Sequence, residues 1–171
     1  NLRFTPPSEV DGTKCIFIAD DDILVTEKDV LVMYHTWKDH DNQIVGVFPR
    51  GHVYKHGVLH YVSDPVEEYS IVLTKFMITS VDFLHHYHGG NMANVRNFVR
   101  EQRNCEDIAF NLMVSKLTDL PPVYVRIPEK VDFGSTAGLF TRPSHVQQRH
   151  DCVTWMSNKF GECPLKFSSL T

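Results

Sequence analysis

Residues 16–24 read Ile16-Phe17-Ile18-Ala19-Asp20-Asp21-Asp22-Ile23-Leu24: four apolar residues run straight into three carboxylates. With Cys15 the apolar run shows no polar alternation, which predicts a short buried strand over 15–19. Like charges crowded at its end repel one another unless a cation or hydrogen-bond donors compensate. On an extended backbone Asp20 and Asp22, at i and i+2, point the same way. Their hard oxygens suit magnesium, manganese or calcium. One carboxylate can then take a metal that bridges the phosphates of a nucleotide, and the other a ribose hydroxyl. A turn of Asp residues, or the charged start of a helix, is the competing reading.

Working outward, Thr26-Glu27-Lys28-Asp29 has the form of a capping box. The helix it opens carries Val30, Leu31, Tyr34 and Trp37 on one face and ends near Asp39 to Asp41. Gln43 to Phe48 predicts a second strand closed by Pro49-Arg50, and His52 to Val62 a hairpin turning at His56-Gly57. Tyr69 to Ile78 is the longest strand candidate. Ser80 caps a short helix that stops at Gly89, and further helices are predicted over Met92–Gln102 and Cys105–Leu117, the latter with Ile108, Leu112 and Leu117 inward. Pro121-Pro122 breaks that helix, Val123–Ile127 reads as a strand, and Lys130–Thr141 as a loop. A last helix spans Pro143–Phe160, with Gly161 as its stop. Strands alternating with helices around a hairpin insert make an α/β layout with a mixed sheet. In such sheets ligands collect beyond the C-terminal strand ends, where the Asp triplet lies.

A chain of 171 residues with 42% apolar and 22% charged residues is one domain's worth and can bury an ordinary core. A net charge of −4 argues against a nucleic-acid partner. No apolar run reaches the length of a membrane span. The opening NLRFTPPSEVDGTK is polar and proline-broken, unlike a signal peptide. It also lacks Met, as a processed or truncated beginning does. No Asn-x-Ser/Thr acceptor occurs. Cys15, Cys105, Cys152 and Cys163 form no CxxC pair, which disfavours a structural zinc site. Free thiols and one or two disulfides, the latter pointing to a secretory compartment, both stay open. His85, His86 and His88 do not share one helical face, so a solvated helix end is preferred over a metal site.

Two more clusters carry candidate chemistry. Asn104-Cys105-Glu106-Asp107 places acids at a helix start, where the macrodipole alone accounts for them. Arg142, His145 and Arg149 can meet a pyrophosphate. They can equally be the solvated face of the last helix, which periodicity favours.

The segments IADDDILV, QIVGVFPRGHV, EYSIVLTK, RNCEDIAFNLMV, PPVYV and FGSTAGL, then HVQQRHDC and FGECPLKFSS, resemble glycosyltransferase family 64, the exostosin-like group, over nearly the whole chain. The tail is more similar to plant-type members. The resemblance implies a GT-A fold and a retaining transfer from a nucleotide-sugar, usually a UDP-sugar, to a glycan or glycolipid acceptor. It implies manganese as cofactor, with magnesium as the alternative. Asp20, Asp21 and Asp22 match the family's DxD segment, with Asp22 the direct metal ligand, Asp20 assisting, and Asp20 and Asp21 nearer ribose and sugar. Asp107 matches the acid beside the reacting sugar, where it orients the acceptor or stabilises an oxocarbenium-like centre rather than attacking. Arg149 matches an arginine facing the donor diphosphate, and Asn1 and Arg3 fall in a stretch on the nucleotide side. Cys105 and Cys152 match a disulfide pair; Cys15 and Cys163 have no counterpart, and Cys15 is expected to be a buried thiol. The resemblance implies a lumenal location in the Golgi or endoplasmic reticulum, with membrane attachment only through a segment absent from this chain, and leaves a homo-oligomer open. No nucleic-acid partner is implied.

The family has further βα units ahead of the triplet strand that hold the uracil. The expectation is therefore a single GT-A-like domain, N-terminally incomplete, that binds UDP weakly and folds poorly on its own. Competing readings are a non-catalytic module of the same fold that has lost its base pocket, and a calcium- or magnesium-binding domain without sugar chemistry. His52, Tyr69 and Ser70 are expected to line the pocket and bear on the choice of sugar.

Overall fold

A computed structural model describes residues 2–6, 12–135 and 145–170. The opening stretch folds as strand β1 (Cys15–Ala19), followed by the short β2 (Ile23–Leu24). The mixed sheet expected from the sequence is present. β1 pairs antiparallel with β8 (Phe76–Ser80), β8 antiparallel with β3 (Val45–Gly46), and β3 parallel with β9 (Val123–Tyr124). Among the described residues β1 has β8 as its one neighbour. That is why the strand is less buried than its composition suggests: only Ile18 is fully enclosed, and Cys15 is half-buried.

Helix α1 (Glu27–Asp39) covers one face of this sheet. Its start is set by a complete capping box: the Thr26 hydroxyl accepts from Asp29 N, and the Asp29 carboxylate accepts from Thr26 N. Met33 and Trp37 pack there with Val45, Phe76 and Ile78. The expected apolar face is narrower than predicted, since Leu31 and Tyr34 are 50% and 39% exposed. A single helix on a short sheet offers one stripe, and those two side chains lie beside it.

The other face carries α2 (Val81–His88), α3 (Ala93–Gln102) and α4 (Glu106–Thr118). Ser80 caps α2 and Gly89 follows it, as predicted, and His85, His86 and His88 are exposed at its end. α4 is the central helix: Asp107 to Ser115 are all buried, while Leu117, predicted inward, is 50% exposed. It is fastened to the strands by a side chain acting as backbone. The Asn111 amide accepts from Val72 N at 3.0 Å and donates to Val72 O at 2.9 Å, as a neighbouring strand does.

The hairpin turns at His56-Gly57, between β4 (Pro49–Lys55) and β5 (Val58–Val62). Both turn residues have positive φ, 52° and 79°, as a two-residue hairpin loop requires. Two strand expectations change. Gln43–Phe48 contributes only Val45–Gly46 to a ladder, because Pro49 opens β4 instead of closing a strand. Tyr69–Ile78 is three strands: β6 (Glu68–Tyr69), β7 (Ile71–Val72) and β8. β7 pairs with β4 and β8 with the central sheet, so the chain must turn at Thr74-Lys75 to pass between them.

The expected loop after Lys130 contains β10 (Val131–Asp132), paired with β2, and a 3-10 turn over Phe133–Ser135. The last helix, α5 (His145–Lys159), packs on β5 and is joined to the N-terminus of α4 by the Cys105–Cys152 disulfide. Strand β11 (Ser168–Ser169) closes against β6. β1, β3 and β9 run one way and β8 the other, so three C-terminal strand ends and one N-terminal end share an edge. No helix among the described residues is long and apolar enough to cross a membrane.

Candidate functional site

A cavity of about 990 Å³ opens at that edge. This is at the top of the usual range of about 300–1,000 Å³ for small-molecule sites. Asp20 and Asp22 line it from the end of β1, Lys75 from the turn just before β8, and Arg50 from the start of β4. Asp132 and Gly134 close it from the β10 side; Asn104, Glu106 and Asp107 reach in from α4, and His145, Gln148 and Arg149 from α5. Arg3 enters from the N-terminal 3-10 turn, which is pinned by the fully buried Phe4 stacked on Phe110 at 4.5 Å.

The outer acids of the triplet behave as their spacing predicts: Asp20 and Asp22 share the cavity, while Asp21 is exposed and outside its lining. Asp20 Oδ1 accepts a salt bridge from Arg3 at 2.9 Å. Burial raises the Asp20 pKa; Arg3 pulls it down, and the neighbouring Asp22 carboxylate pushes it up again. Among the described residues Asp22 has no such partner. Its Oδ1 is buried without a hydrogen bond among the described residues, and its Oδ2 packs against Gly134 so closely that a Cβ there would lie 1.9 Å away. A buried carboxylate oxygen with no donor is costly unless something positive meets it. These oxygens therefore fit a divalent cation. Among the described residues no three His, Cys, Asp or Glu side chains converge as a ready-made cage. A hard cation held by one or two carboxylates, with the rest of its shell from phosphates and water, needs none.

Across the cavity the macrodipole reading of the second acid pair gives way to a buried ion pair. Asp107 Oδ2 accepts from Arg149 Nη2 at 2.5 Å, with both side chains almost fully enclosed. Asp107 Oδ1 accepts from Ile108 N at 2.8 Å. Arg149 also donates to the Tyr61 hydroxyl at 3.0 Å and to Asn104 Oδ1 at 3.3 Å, and its guanidinium lies 4.2 Å from the Tyr61 ring centre. Burial works against the Arg149 charge, but Asp107 and Tyr61 more than offset it and hold its pKa above the ordinary value. The partner thus identified for Arg149 is a carboxylate, and one donor, Nε, is left without a bond among the described residues. Arg149 is buried, not on a solvated helix face. Burial and the adjacent Asp107 charge raise the Glu106 pKa.

Backbone strain aims these groups. Arg103 and Cys105 both adopt the left-handed conformation, φ 52° and 72°, which non-glycine residues rarely take. Asn104 Oδ1 accepts from Cys105 N at 2.7 Å, and Asn104 Nδ2 donates to Gln148 Oε1 at 2.9 Å. The disulfide then fixes this strained turn to α5 one helical turn after Arg149.

Asn1 and Arg142 lie outside the described residues. His52, Tyr69 and Ser70 are buried and not in the cavity lining: His52 Nδ1 bonds Ser70 Oγ at 2.7 Å and the ring stacks on Phe167 at 4.5 Å. Sequence reasoning did not single out Tyr61, Lys75, Asp132 or Gly134 for the site. Each depends on strand pairing between distant segments; the one local sign was Asp132 preceding a glycine in Asp132-Phe133-Gly134.

A family model described as the glycosyl transferase family 64 domain matches residues 1–171. Among curated relatives, glycosyltransferase family protein 64 C3 of Arabidopsis thaliana is 31% identical over 184 residues, covering 98% of this chain and 56% of the relative. An exostosin-like-3 homolog of Caenorhabditis elegans is 31% identical over 170 residues, covering 98% of this chain and 21% of the relative. Exostosin-2 of Homo sapiens is 28% identical over 169 residues, covering 96% and 24%. The chain thus spans about half the length of the plant relative and less than a quarter of the nematode and human ones.

Proposed function

The chain belongs to glycosyltransferase family 64, and from that premise we propose that it moves a sugar from a UDP-sugar donor to a glycan or glycolipid acceptor, with retention and with a divalent cation, manganese or magnesium, in the site. One observation carries the reading. Asp22, whose Oδ1 is buried without a hydrogen bond among the described residues, and the buried Asp107–Arg149 pair line the same cavity, beyond the C-terminal strand ends.

Asp22 would hold the cation, which would neutralise charge on the donor diphosphate. Asp20, oriented by Arg3, faces the ribose side of the donor. Loss of the nucleoside diphosphate builds negative charge, and the Arg149 guanidinium, whose Nε has no hydrogen bond among the described residues, offsets it. Asp107 is held on both oxygens, by Ile108 N and Arg149 Nη2, so it acts as a fixed carboxylate beside the sugar. It stabilises the oxocarbenium-like centre and orients the acceptor hydroxyl. A phosphate oxygen of the departing group takes the acceptor's proton. Disulfides persist in oxidising compartments, so Cys105–Cys152 supports a lumenal location.

The test is a screen of UDP- and GDP-sugars for hydrolysis or transfer with manganese and with chelator, on wild type and Asp107→Ala. Cation-dependent turnover that disappears in Asp107→Ala while donor binding persists supports the assignment. No turnover together with no binding of any nucleotide-sugar rejects the proposal and leaves the non-catalytic module that has lost its base pocket.

A further inference from the structure

Asp22 is half of a pair of carboxylates. β2 and β10 align Asp132 with Ile23, next to Asp22 in the chain, and Phe133 N donates to Asp22 O at 2.9 Å. The segment 131–135 is thereby laid against the end of the Asp triplet. Gly134 measures how closely. A Cβ on it would lie 1.9 Å from Asp22 Oδ2 and 3.5 Å from Asp132 Oδ1. The two carboxylate oxygens can be no further apart than those two distances laid end to end. Small side-chain rotations bring such oxygens to the roughly 3 Å (adjacent positions) to 4 Å (opposite positions) at which two ligands share a cation with bonds of about 2.1 Å. Both residues line the cavity, and both carboxylates are largely shielded from water.

We propose that Asp132 is a second carboxylate for the divalent cation, and that Gly134 is the residue that lets it and Asp22 face one ion. The proposal rests on the transferase reading above. In the structure Asp132 Oδ2 is met by Lys75 Nζ at 2.6 Å, so the lysine supplies the positive charge that the cation delivers when bound. Lys75 sits just before β8, its backbone carbonyl accepting from Asp20 N at 2.7 Å, so it is held beside the same triplet. A cation held by Asp132 would take over this neutralising role, and Lys75 would then be free to pair with the donor's phosphate oxygens, which carry the opposite charge. Two carboxylates on one dication leave the remaining positions for phosphate and water, the arrangement hard cations adopt at nucleotide sites.

The experiment measures free Mn²⁺ by electron paramagnetic resonance in titrations of the full-length protein, with and without UDP. Wild type is compared with Asp22→Asn, Asp132→Asn, Gly134→Ala, Lys75→Met and Asp151→Asn, and thermal midpoints verify folding. Asp151→Asn removes the same charge from the α5 wall of the same cavity. Asp132→Asn is expected to weaken Mn²⁺ binding by about tenfold or more. Gly134→Ala keeps both carboxylates but drives Asp22 off, and weakens binding similarly; Asp151→Asn stays within about twofold of wild type, since its charge is screened. Asp132→Asn no worse than Asp151→Asn, with Asp22→Asn inactive in binding, overturns the second carboxylate and leaves the transferase reading standing. Equal losses in both show a field effect and also overturn it. If Lys75→Met weakens binding as Asp132→Asn does, instead of strengthening it, the pair is a strut and the proposal falls. Wild type that takes up no Mn²⁺ even with UDP overturns both readings.

Discussion

Arg149 carries a guanidinium into a place almost closed to water, and Asp107 is what makes that tolerable. Breaking such a pair from one side leaves a buried charge alone, at a cost of about 3–5 kcal/mol. Asp107→Asn is therefore expected to lower stability by that amount in urea unfolding, and Asp107→Asn with Arg149→Met to recover much of it. Recovery of stability without recovery of turnover separates the structural role of the pair from the chemical one proposed for it. His52 offers a second residue-level prediction. Burial depresses its pKa from 6.5 to about 4, so the folded protein keeps it neutral. Between those values the unfolded chain binds the proton more readily, and the contribution of His52 to stability is fully present above pH 6.5 and lost as pH falls towards 4. Unfolding measured across that range is expected to show wild type losing stability on acidification relative to His52→Gln, by on the order of 2–3 kcal/mol.

Elements set by local chemistry were legible from the residues alone. The Thr26 capping box, the His56-Gly57 turn and the Ser80-to-Gly89 limits of α2 each depend on a few adjacent side chains, and each is found where expected. Thr26→Ala is expected to cost about 1 kcal/mol in thermal or urea unfolding. Strands in the middle of the chain were less legible, since a ladder's extent is decided by its partner. Gln43–Phe48 and Tyr69–Ile78 look continuous, yet β4 and β8 draw their residues into different sheets. The cavity divides the same way. Asp20 and Asp22 stood out by charge pattern, and Asp107 and Arg149 by the resemblance alone, whereas Lys75 and Asp132 meet only through the β2–β10 pairing. Helices α4 and α5 are tied by a disulfide closing a separation of 47 residues. Removing it by Cys105→Ser with Cys152→Ser is expected to lower stability by about 4 kcal/mol, read by denaturant titration.

At the scale of the whole molecule the cavity wall is assembled from both ends of the chain. Arg3 reaches Asp20 because Phe4 is buried between Tyr87 and Phe110. Phe4→Ala is expected to cost about 3–5 kcal/mol in unfolding experiments and to release Arg3 from the site. A disulfide between α4 and α5 has a topological corollary. A protease cut between Asp107 and Arg149 puts the two on separate polypeptides that stay covalently joined. Such a nicked molecule would migrate as one species on a denaturing gel without thiol and as two with it, its acid and its guanidinium still bound in one particle until the bridge is reduced.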